Sequence, residues 1–242
     1  MTFLPSCCGT PVDQWPWAQQ PPGLTMVSLS FEPDGLRPND FRRCNIPPPI
    51  SITGAVEKRQ AEYLAGRLCA RQCLLATTGN TATPARGDDG APIWPGGCVG
   101  SITHTQGWAA AVAGPKRYFA GLGLDAETLL SDRRAIALAR KILTPAEQKR
   151  FQVELEEHAG WLVTLVFSMK ESLFKALYPL TGQRFYFQDA ELVSQTEDGT
   201  GRLRLLTELS PQWPAGRELD AQFVFGNDRA ISLVAVPADQ QR

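Results

Sequence analysis

The sequence predicts an α+β fold of two pseudo-repeated halves, each with helical segments followed by short strands. A helical pattern over residues 56–77 precedes a first series of strand-like apolar segments, and helical patterns between residues 132 and 177 precede a second series. The turn-forming pair Gly114-Pro115 separates the halves. We therefore expect one half over residues 1–117 and the other over residues 118–242, with the active site in the cleft between them.

Composition and charge exclude several classes of protein. The 242 residues carry a formal net charge of -1, which argues against general affinity for nucleic acids or membrane surfaces. No segment approaches the roughly 20 apolar residues of a membrane helix, and Met1–Thr10 has no basic residue ahead of an apolar run. We therefore expect a cytoplasmic monomer. The six cysteines show no CxxC spacing, so a structural zinc site is not supported.

The first half is predicted to start as irregular chain, because its prolines exclude long helices in the first fifty residues. One strand is expected there, at Met26–Phe31. A helix follows from about Val56 to Thr77 and is ended by Gly79. Gly66, inside this helix, indicates the close approach of another backbone or a ligand. The strands expected next are Val99–Thr103 and Trp108–Ala113.

The second half is predicted to begin with a strand from Tyr118 to Leu124. Thr144-Pro145-Ala146-Glu147 is a capping box with proline at the first helical position, and it marks a helix start. The other predicted helices are Asp132–Leu143 and Trp161–Leu177. Strands are expected at Phe185–Val193, Arg202–Leu206, Gln222–Phe225 and Ala230–Val236, the last two joined by a turn at Gly226–Asp228.

Two carboxylates follow the first strand of the second half. If the strand continues through Glu127, the side chains of Asp125 and Glu127 point to the same side and can reach one cation. The alternative is that Asp125 caps a turn and Glu127 is solvated.

A third carboxylate, Glu171, lies on the face of a predicted helix opposite the apolar stripe, near Phe167, Phe174 and Tyr178. The alternative is an exposed Glu171–Lys175 pair worth about 0.3–0.5 kcal/mol. Three aromatic side chains beside a carboxylate favour a cleft. The three carboxylates, together with Lys170 and Lys175, predict a magnesium site around a phosphorylated substrate.

Candidate anion-binding side chains lie in the first half. Thr103 and His104 end a predicted strand and can donate hydrogen bonds to phosphate oxygens, while Arg59 and Arg67 lie on a helix rich in cations. The alternatives are a structural histidine and arginines that are solvated or paired with Glu62. A further basic cluster either meets an acidic partner or faces water: Arg133, Arg134, Arg140, Lys141, Lys149 and Arg150.

Four ordered segments resemble the 4'-phosphopantetheinyl transferases of the monomeric surfactin/enterobactin-synthetase type. They are Arg59–Arg67, Trp94-Pro95 with Gly100–His104, Gly121–Glu127 and Phe167–Lys175. The resemblance extends from about Pro49 to the C-terminus. It implies two similar α+β halves with coenzyme A and Mg²⁺ in the cleft between them.

The resemblance also implies roles for single residues. The implied Mg²⁺ ligands are Asp125, Glu127 and Glu171. Lys175 would contact the pyrophosphate of coenzyme A. The residues that would hold coenzyme A phosphates are Arg59, Arg67, Thr103 and His104. The chain departs from the family at Ala91, where many relatives have a basic residue for the 3'-phosphate, unless Arg86 replaces it.

The implied reaction is that of a holo-[acyl-carrier-protein] synthase. A serine of an apo acyl carrier protein or peptidyl carrier domain attacks the β-phosphate of coenzyme A, Glu171 removes the proton, and Mg²⁺ with Lys175 stabilises the departing 3',5'-ADP. Such carriers serve fatty-acid, siderophore and nonribosomal peptide synthesis, and the basic cluster from Arg133 to Arg150 is the expected docking surface. The alternatives are a metal-dependent phosphoesterase or nuclease and a non-catalytic module that binds a carrier protein or a nucleotide.

Overall fold

The computed structural model describes residues 3–226 and 228–238 of the chain. Within them, the residues up to Trp15 and Gln20–Tyr118 form one compact unit, which we call the N-unit. Pro16–Gln19 and the residues from Phe119 onward form a second, the C-unit. The segment Pro16–Gln19 therefore belongs to the C-unit, although the sequence alone assigns it to the first half.

The N-unit is a small antiparallel sheet packed against one long helix. Its helices are α1 (Asp40–Arg43), α2 (Ile50–Thr53) and α3 (Glu57–Thr78), and its strands are β1 (Thr25–Ser30), β2 (Ala85–Arg86), β3 (Pro92–Ile93), β4 (Cys98–Thr105) and β5 (Trp108–Pro115). The strand order is β1-β5-β4, and β2 and β3 form a separate hairpin. A Cβ atom at Gly66 would lie 2.8 Å from Cγ2 of Ile102 on β4, so the close neighbour is a side chain and not the backbone or ligand that was expected.

The C-unit is a five-stranded antiparallel sheet in the order β6-β10-β9-β8-β7, with one long helix packed against it. Its strands are β6 (Phe119–Thr128), β7 (Ala190–Gln195), β8 (Thr200–Leu205), β9 (Glu218–Gly226) and β10 (Arg229–Pro237). Its helices are α4 (Asp132–Ile142), α5 (Pro145–Arg150), α6 (Gln152–Glu157) and α7 (Ala159–Thr181). No helix in the described part of the chain is long and apolar enough to cross a membrane.

The helix α7 approaches β6 closely because β6 has glycine at two positions. Cβ atoms at Gly121 and Gly123 would overlap backbone carbonyl oxygens of α7. Polar groups between the helix and the sheet are paired, since Oγ of Ser168 and Oγ of Ser172 each lie 2.8 Å from Oγ of Ser232 on β10. This packing sets the position of the α7 side chains relative to the end of β6.

Several boundaries differ from the sequence-based expectation, including the start of β9, which lies at Glu218 rather than Gln222. β6 continues to Thr128 rather than ending at Leu124, because it pairs with β10 as far as Arg229. α7 begins before Trp161 and runs on through Thr181. The strand expected from Phe185 begins only at Ala190, after a 3-10 turn.

The predicted capping box lies within the described residues, whereas the predicted β9–β10 turn lies partly outside them. The capping box is confirmed: Oγ1 of Thr144 accepts a hydrogen bond from the backbone N–H of Glu147, and the Glu147 carboxylate accepts one from the backbone N–H of Thr144. The predicted turn between β9 and β10 includes Asn227, which lies outside the described residues. The strands on either side pair, with Gly226 opposite Arg229.

Candidate active site

Asp125 and Glu127 lie on the same side of β6, because the strand continues through both residues. That side faces α7, where Nζ of Lys175 lies 2.6 Å from Oδ1 of Asp125 and 3.1 Å from the carbonyl oxygen of Leu124. Lys175 therefore forms its ion pair with β6, whereas the surface-pair alternative placed it on Glu171. The turn-capping alternative for Asp125 is also wrong, since the residue is buried within the strand.

The carboxyl groups of Asp125, Glu127 and Glu171 interact electrostatically. Burial, followed by the charge of Asp125, raises the pKa of Glu127 to about 7. Burial is also the main cause of the raised pKa of Glu171, and Asp125 again adds to the effect. Lys175 lowers the pKa of both groups. A further cation would stabilise the charged forms of these acids.

The chemistry of this cluster fits Mg²⁺, which prefers oxygen ligands. Oδ2 of Asp125 is buried and accepts no hydrogen bond from any described residue, although buried polar atoms are almost always paired. In this structure one oxygen of Asp125 is instead paired with Lys175. Among the residues that the structure describes, no three His, Cys, Asp or Glu side chains are arranged as metal ligands. The unpaired oxygen and the repulsion between the acids are the observations that fit a divalent cation.

A pocket of about 170 Å³ opens beside Glu171. Its wall is mostly aromatic and includes Phe174, Arg184, Phe185, Tyr186 and Phe187. Phe174 packs against Tyr178 and Phe185, with ring centroids 5.2 and 5.4 Å apart. Of the three aromatic residues expected near Glu171, Phe174 lines this pocket, whereas Tyr178 and Phe167 pack behind it on Phe174 and Phe187. Much of the wall comes from the segment after α7, which the helical pattern of the sequence does not include.

Lys170 does not belong to the acidic cluster, contrary to its grouping with Lys175 in the sequence analysis. Its ammonium group donates to Oε2 of Glu147 at 2.7 Å and to the carbonyl oxygens of Ile142 and Phe187, both at 2.8 Å. These three acceptors use all three donors of an ammonium group. Lys170 is buried at the edge of the pocket beside Glu171, and protein acceptors take all of its donors, so in this structure it has no donor left for a phosphate.

Arg59 and His104 meet in the N-unit. Nη1 of Arg59 lies 2.9 Å from Nε2 of His104 and 3.3 Å from Oε2 of Glu62. Nδ1 of His104 lies 3.7 Å from the same carboxylate oxygen. The alternative pairing of Arg59 with Glu62 is therefore present, and it holds the arginine beside His104. Because the Arg59 side chain remains 42% exposed, it is accessible to an anion.

The fold does not bring Thr103 together with His104. Successive side chains of β4 alternate between its two sides, and Thr103 is buried on the side opposite His104. This separation could have been predicted from the sequence, because successive side chains of a strand point to opposite sides.

Arg67 is buried, with its guanidinium group 4.8 Å above the ring of Tyr63. Nη2 donates to the carbonyl oxygen of Ala85 at 3.3 Å, and Nε is buried and has no acceptor among the described residues. Burial, and to a lesser extent the charge of Arg86, lowers the pKa of Arg67. Arg86 lies opposite Pro92 in the β2–β3 hairpin. It is therefore a cation near Arg67 and near Ala91, where the chain departs from the family pattern.

The basic cluster of the C-unit divides into exposed and paired residues. The exposed side chains include Arg133, Arg134, Arg140, Lys141 and Lys149. Arg150 differs, because its Nη2 lies 3.1 Å from Oε2 of Glu191 and its Nη1 donates to the carbonyl oxygen of Leu192 at 2.6 Å. Arg150 thus connects α5 to β7, and the exposed members of the cluster lie on α4 and α5.

Family models match both parts of the chain. Residues 49–114 match the 4'-phosphopantetheinyl transferase N-terminal domain, and residues 121–234 match the 4'-phosphopantetheinyl transferase superfamily. The second match contains Asp125, Glu127, Glu171 and Lys175, and the first contains Arg59, Arg67, Thr103 and His104.

Individual relatives agree with these models. The chain is 35% identical to 4'-phosphopantetheinyl transferase Svp of Streptomyces mobaraensis, over 77% of this chain and 76% of Svp. It is 34% identical to 4'-phosphopantetheinyl transferase Npt of Nocardia iowensis, over 62% of this chain and 65% of Npt. It is also 34% identical to enterobactin synthase component D of Salmonella typhimurium, over 64% of this chain and 62% of that protein. The match therefore spans less than two thirds of the Nocardia and Salmonella proteins.

Proposed function

Because the chain belongs to the 4'-phosphopantetheinyl transferase superfamily, we propose that it transfers the 4'-phosphopantetheine group of coenzyme A to a serine of apo acyl carrier proteins and peptidyl carrier domains. The observation that best supports this proposal is the C-unit cluster: three interacting acids and Lys175 beside an aromatic pocket. Phosphoryl transfer needs charge neutralisation and alignment, and this cluster is suited to both.

Each residue of the cluster has a separate task in the proposed reaction. Asp125, Glu127 and Glu171 would hold Mg²⁺, which neutralises pyrophosphate charge when bound. Glu171 accepts the proton of the carrier serine hydroxyl, and the raised pKa of this acid suits a general base. A bond forms between the serine oxygen and the β-phosphorus while the bond from that phosphorus to the bridging oxygen breaks. Lys175 donates to the oxygens of the departing 3',5'-ADP.

The N-unit cations are assigned to the phosphates of coenzyme A. Arg59 and His104 form one exposed pair, and the buried Nε of Arg67 has no acceptor among the described residues. An anion would provide the missing acceptor. Arg86 is assigned to the 3'-phosphate, in place of the basic residue that many relatives have at the position of Ala91. Thr103 remains a candidate through the family resemblance alone, since its side chain is buried on the other side of β4.

The pocket beside Glu171 suits the uncharged part of the substrate. Its wall is aromatic, and the pantetheine arm is a largely apolar chain with two amides. The carrier protein is assigned to the exposed cations of α4 and α5, because carriers of this kind are acidic helical domains. Charge complementarity of this type raises the association rate more than the affinity.

One experiment distinguishes the proposed transferase from the other candidates. The protein is incubated with coenzyme A, Mg²⁺ and an apo carrier protein, and the carrier is examined by mass spectrometry. The expected result is addition of one phosphopantetheine group and release of 3',5'-ADP. Hydrolysis of coenzyme A without an adduct would indicate a phosphoesterase, and binding without turnover would indicate a non-catalytic module. Either result, with several carrier types, contradicts the proposal.

A further inference from the structure

The C-unit contains a buried ion pair beside the proposed active site. Nζ of Lys170 lies 2.7 Å from Oε2 of Glu147, and the two side chains are 2% and 0% exposed. Apolar residues of similar volume often replace such pairs without loss of stability, so stability alone is weak grounds for its presence. A contribution to stability alone therefore does not account for the pair.

Glu147 and Lys170 fix several chain segments to one another. The Glu147 carboxylate accepts hydrogen bonds from the backbone N–H of Thr144 at 2.7 Å and from that of Leu192 at 2.6 Å. Lys170 adds bonds to the carbonyl oxygens of Ile142 and Phe187. The end of α4, the first turn of α5, the strand β7 and the segment after α7 thus meet at this ion pair.

Phe187 connects this junction to the pocket. Its ring lines the pocket beside Glu171 and lies 5.1 Å from the ring of Phe167, while its carbonyl oxygen accepts the bond from Lys170. The next residue, Gln188, donates through Nε2 to the carbonyl oxygens of Lys141 and Leu143, both at 3.2 Å. Phe187 is therefore attached to α7 through Lys170, and Gln188 is attached to the end of α4.

Lys170 also precedes Glu171 directly on α7, so one helical turn bears both the proposed base and the group that holds the wall. We propose that Lys170 is a positioning residue of the transfer reaction: by holding the carbonyl group of Phe187, it keeps the aromatic wall in place beside Glu171 for the pantetheine arm. This inference rests on the proposed transferase function.

The test is Lys170→Met, which has an unbranched side chain of similar length and no hydrogen-bond donor. In this variant the arm should bind more weakly, and equally so in the ground state and in the transition state. The KM for coenzyme A should therefore rise about tenfold, while kcat changes less than about threefold. Backbone amides of residues 184–188 should exchange with deuterium about tenfold faster, because the wall is less restrained. The control is Lys116→Met, the same substitution at an exposed lysine outside this junction, which should leave both readouts unchanged.

A second variant keeps the test decisive if Lys170→Met does not fold. Gln188 is exposed, so Gln188→Ala should fold and raise the KM for coenzyme A about threefold through loss of the second attachment. If Lys170→Met folds, an unchanged KM overturns the role of Lys170 directly. If it does not fold, an unchanged KM in Gln188→Ala shows that the wall needs no attachment for coenzyme A binding and overturns the proposal, in each case with an active parent protein. A parent protein that forms no holo carrier contradicts the transferase function itself, which separates the two failures.

Discussion

At the scale of single residues, the acids of the C-unit have the chemistry most altered by their surroundings. Glu127 and Glu171 have raised pKa values because they are buried and close to Asp125. Asp125 itself offers one oxygen to Lys175 and leaves the other unpaired among the described residues. Changes in the charge of these side chains should therefore affect both transfer activity and Mg²⁺ binding.

Glu171→Gln should remove most transfer activity while the fold stays intact. The amide has nearly the same shape as the acid but does not accept the serine proton, so the rate at saturating coenzyme A and Mg²⁺ should fall about 10²–10⁴-fold. The rate is measured as formation of holo carrier by mass spectrometry, with thermal melting as the check on folding. Glu156→Gln on the exposed side of α6 is the matched control and should keep full activity. Full activity of Glu171→Gln would exclude Glu171 as the base.

Mg²⁺ should bind more tightly as pH rises through about 7. The pKa of Glu127 is raised, so below that pH a proton occupies the carboxyl group and competes with the metal. Calorimetric titration at about pH 6 and about pH 8 measures both the affinity and the protons released. In Asp125→Asn, burial still raises the pKa of Glu127, but the smaller contribution from the Asp125 charge is gone, so the transition should move to lower pH. Equal affinity of the unaltered protein at the two pH values would contradict the prediction.

At the scale of elements, the packing of α7 on β6 determines where Glu171 and Lys175 lie. Glycine at positions 121 and 123 allows backbone to approach backbone, and the hydroxyl groups of Ser168, Ser172 and Ser232 are paired where helix and sheet meet. A shift of the helix would move Lys175 away from Asp125. The geometry of the site therefore depends on the absence of two side chains.

Gly123→Ala should destabilise the protein by about 1–3 kcal/mol, because its methyl group would overlap the carbonyl oxygen of Ser172 and the backbone must shift. Urea unfolding followed by fluorescence measures the change in the free energy of unfolding. Gly226→Ala is the control in the same unit, since a Cβ atom there has no neighbour within 4 Å. A Gly123→Ala protein as stable as the control would show that the helix tolerates displacement.

At the scale of the whole molecule, the charge is nearly balanced but locally uneven. The formal net charge of the chain is -1, yet exposed cations are concentrated on α4 and α5. A local basic surface attracts an acidic partner even when the net charge is close to zero. The proposed carrier docking is a property of this distribution and not of the total charge.

Reversing two of these charges, in Arg133→Glu/Arg140→Glu, should slow association with an acidic carrier about tenfold at low salt. Added salt should reduce the difference from the unaltered protein, because it screens exposed charges. The KM for the carrier is measured at two salt concentrations, with the KM for coenzyme A expected to stay constant. Lys116→Glu, an exposed charge change in the N-unit, is the control. An equal effect of the control would mean that only net charge matters.

Much of the fold and part of the site follow from local sequence. The capping box at Thr144, the apolar stripe of α7 and the common side of Asp125 and Glu127 all follow from spacing along one element. The aromatic wall at Phe185–Phe187 was expected to be a strand, since its residue types favour strands. Its 3-10 turn depends on a hydrogen bond from the backbone N–H of Tyr186 to Asp189, which residue type alone does not indicate.

The sequence by itself determined the α+β class, the family and the identity of the acidic cluster, because these depend on residue type and on spacing along the chain. Only the tertiary structure decided which groups Lys170 and Lys175 contact. Lys170 and Lys175 lie on one helix, yet the first is buried on Glu147, 23 residues away, and the second reaches Asp125, 50 residues away. Such partners are set by which elements pack together, and no pattern within one helix contains that information.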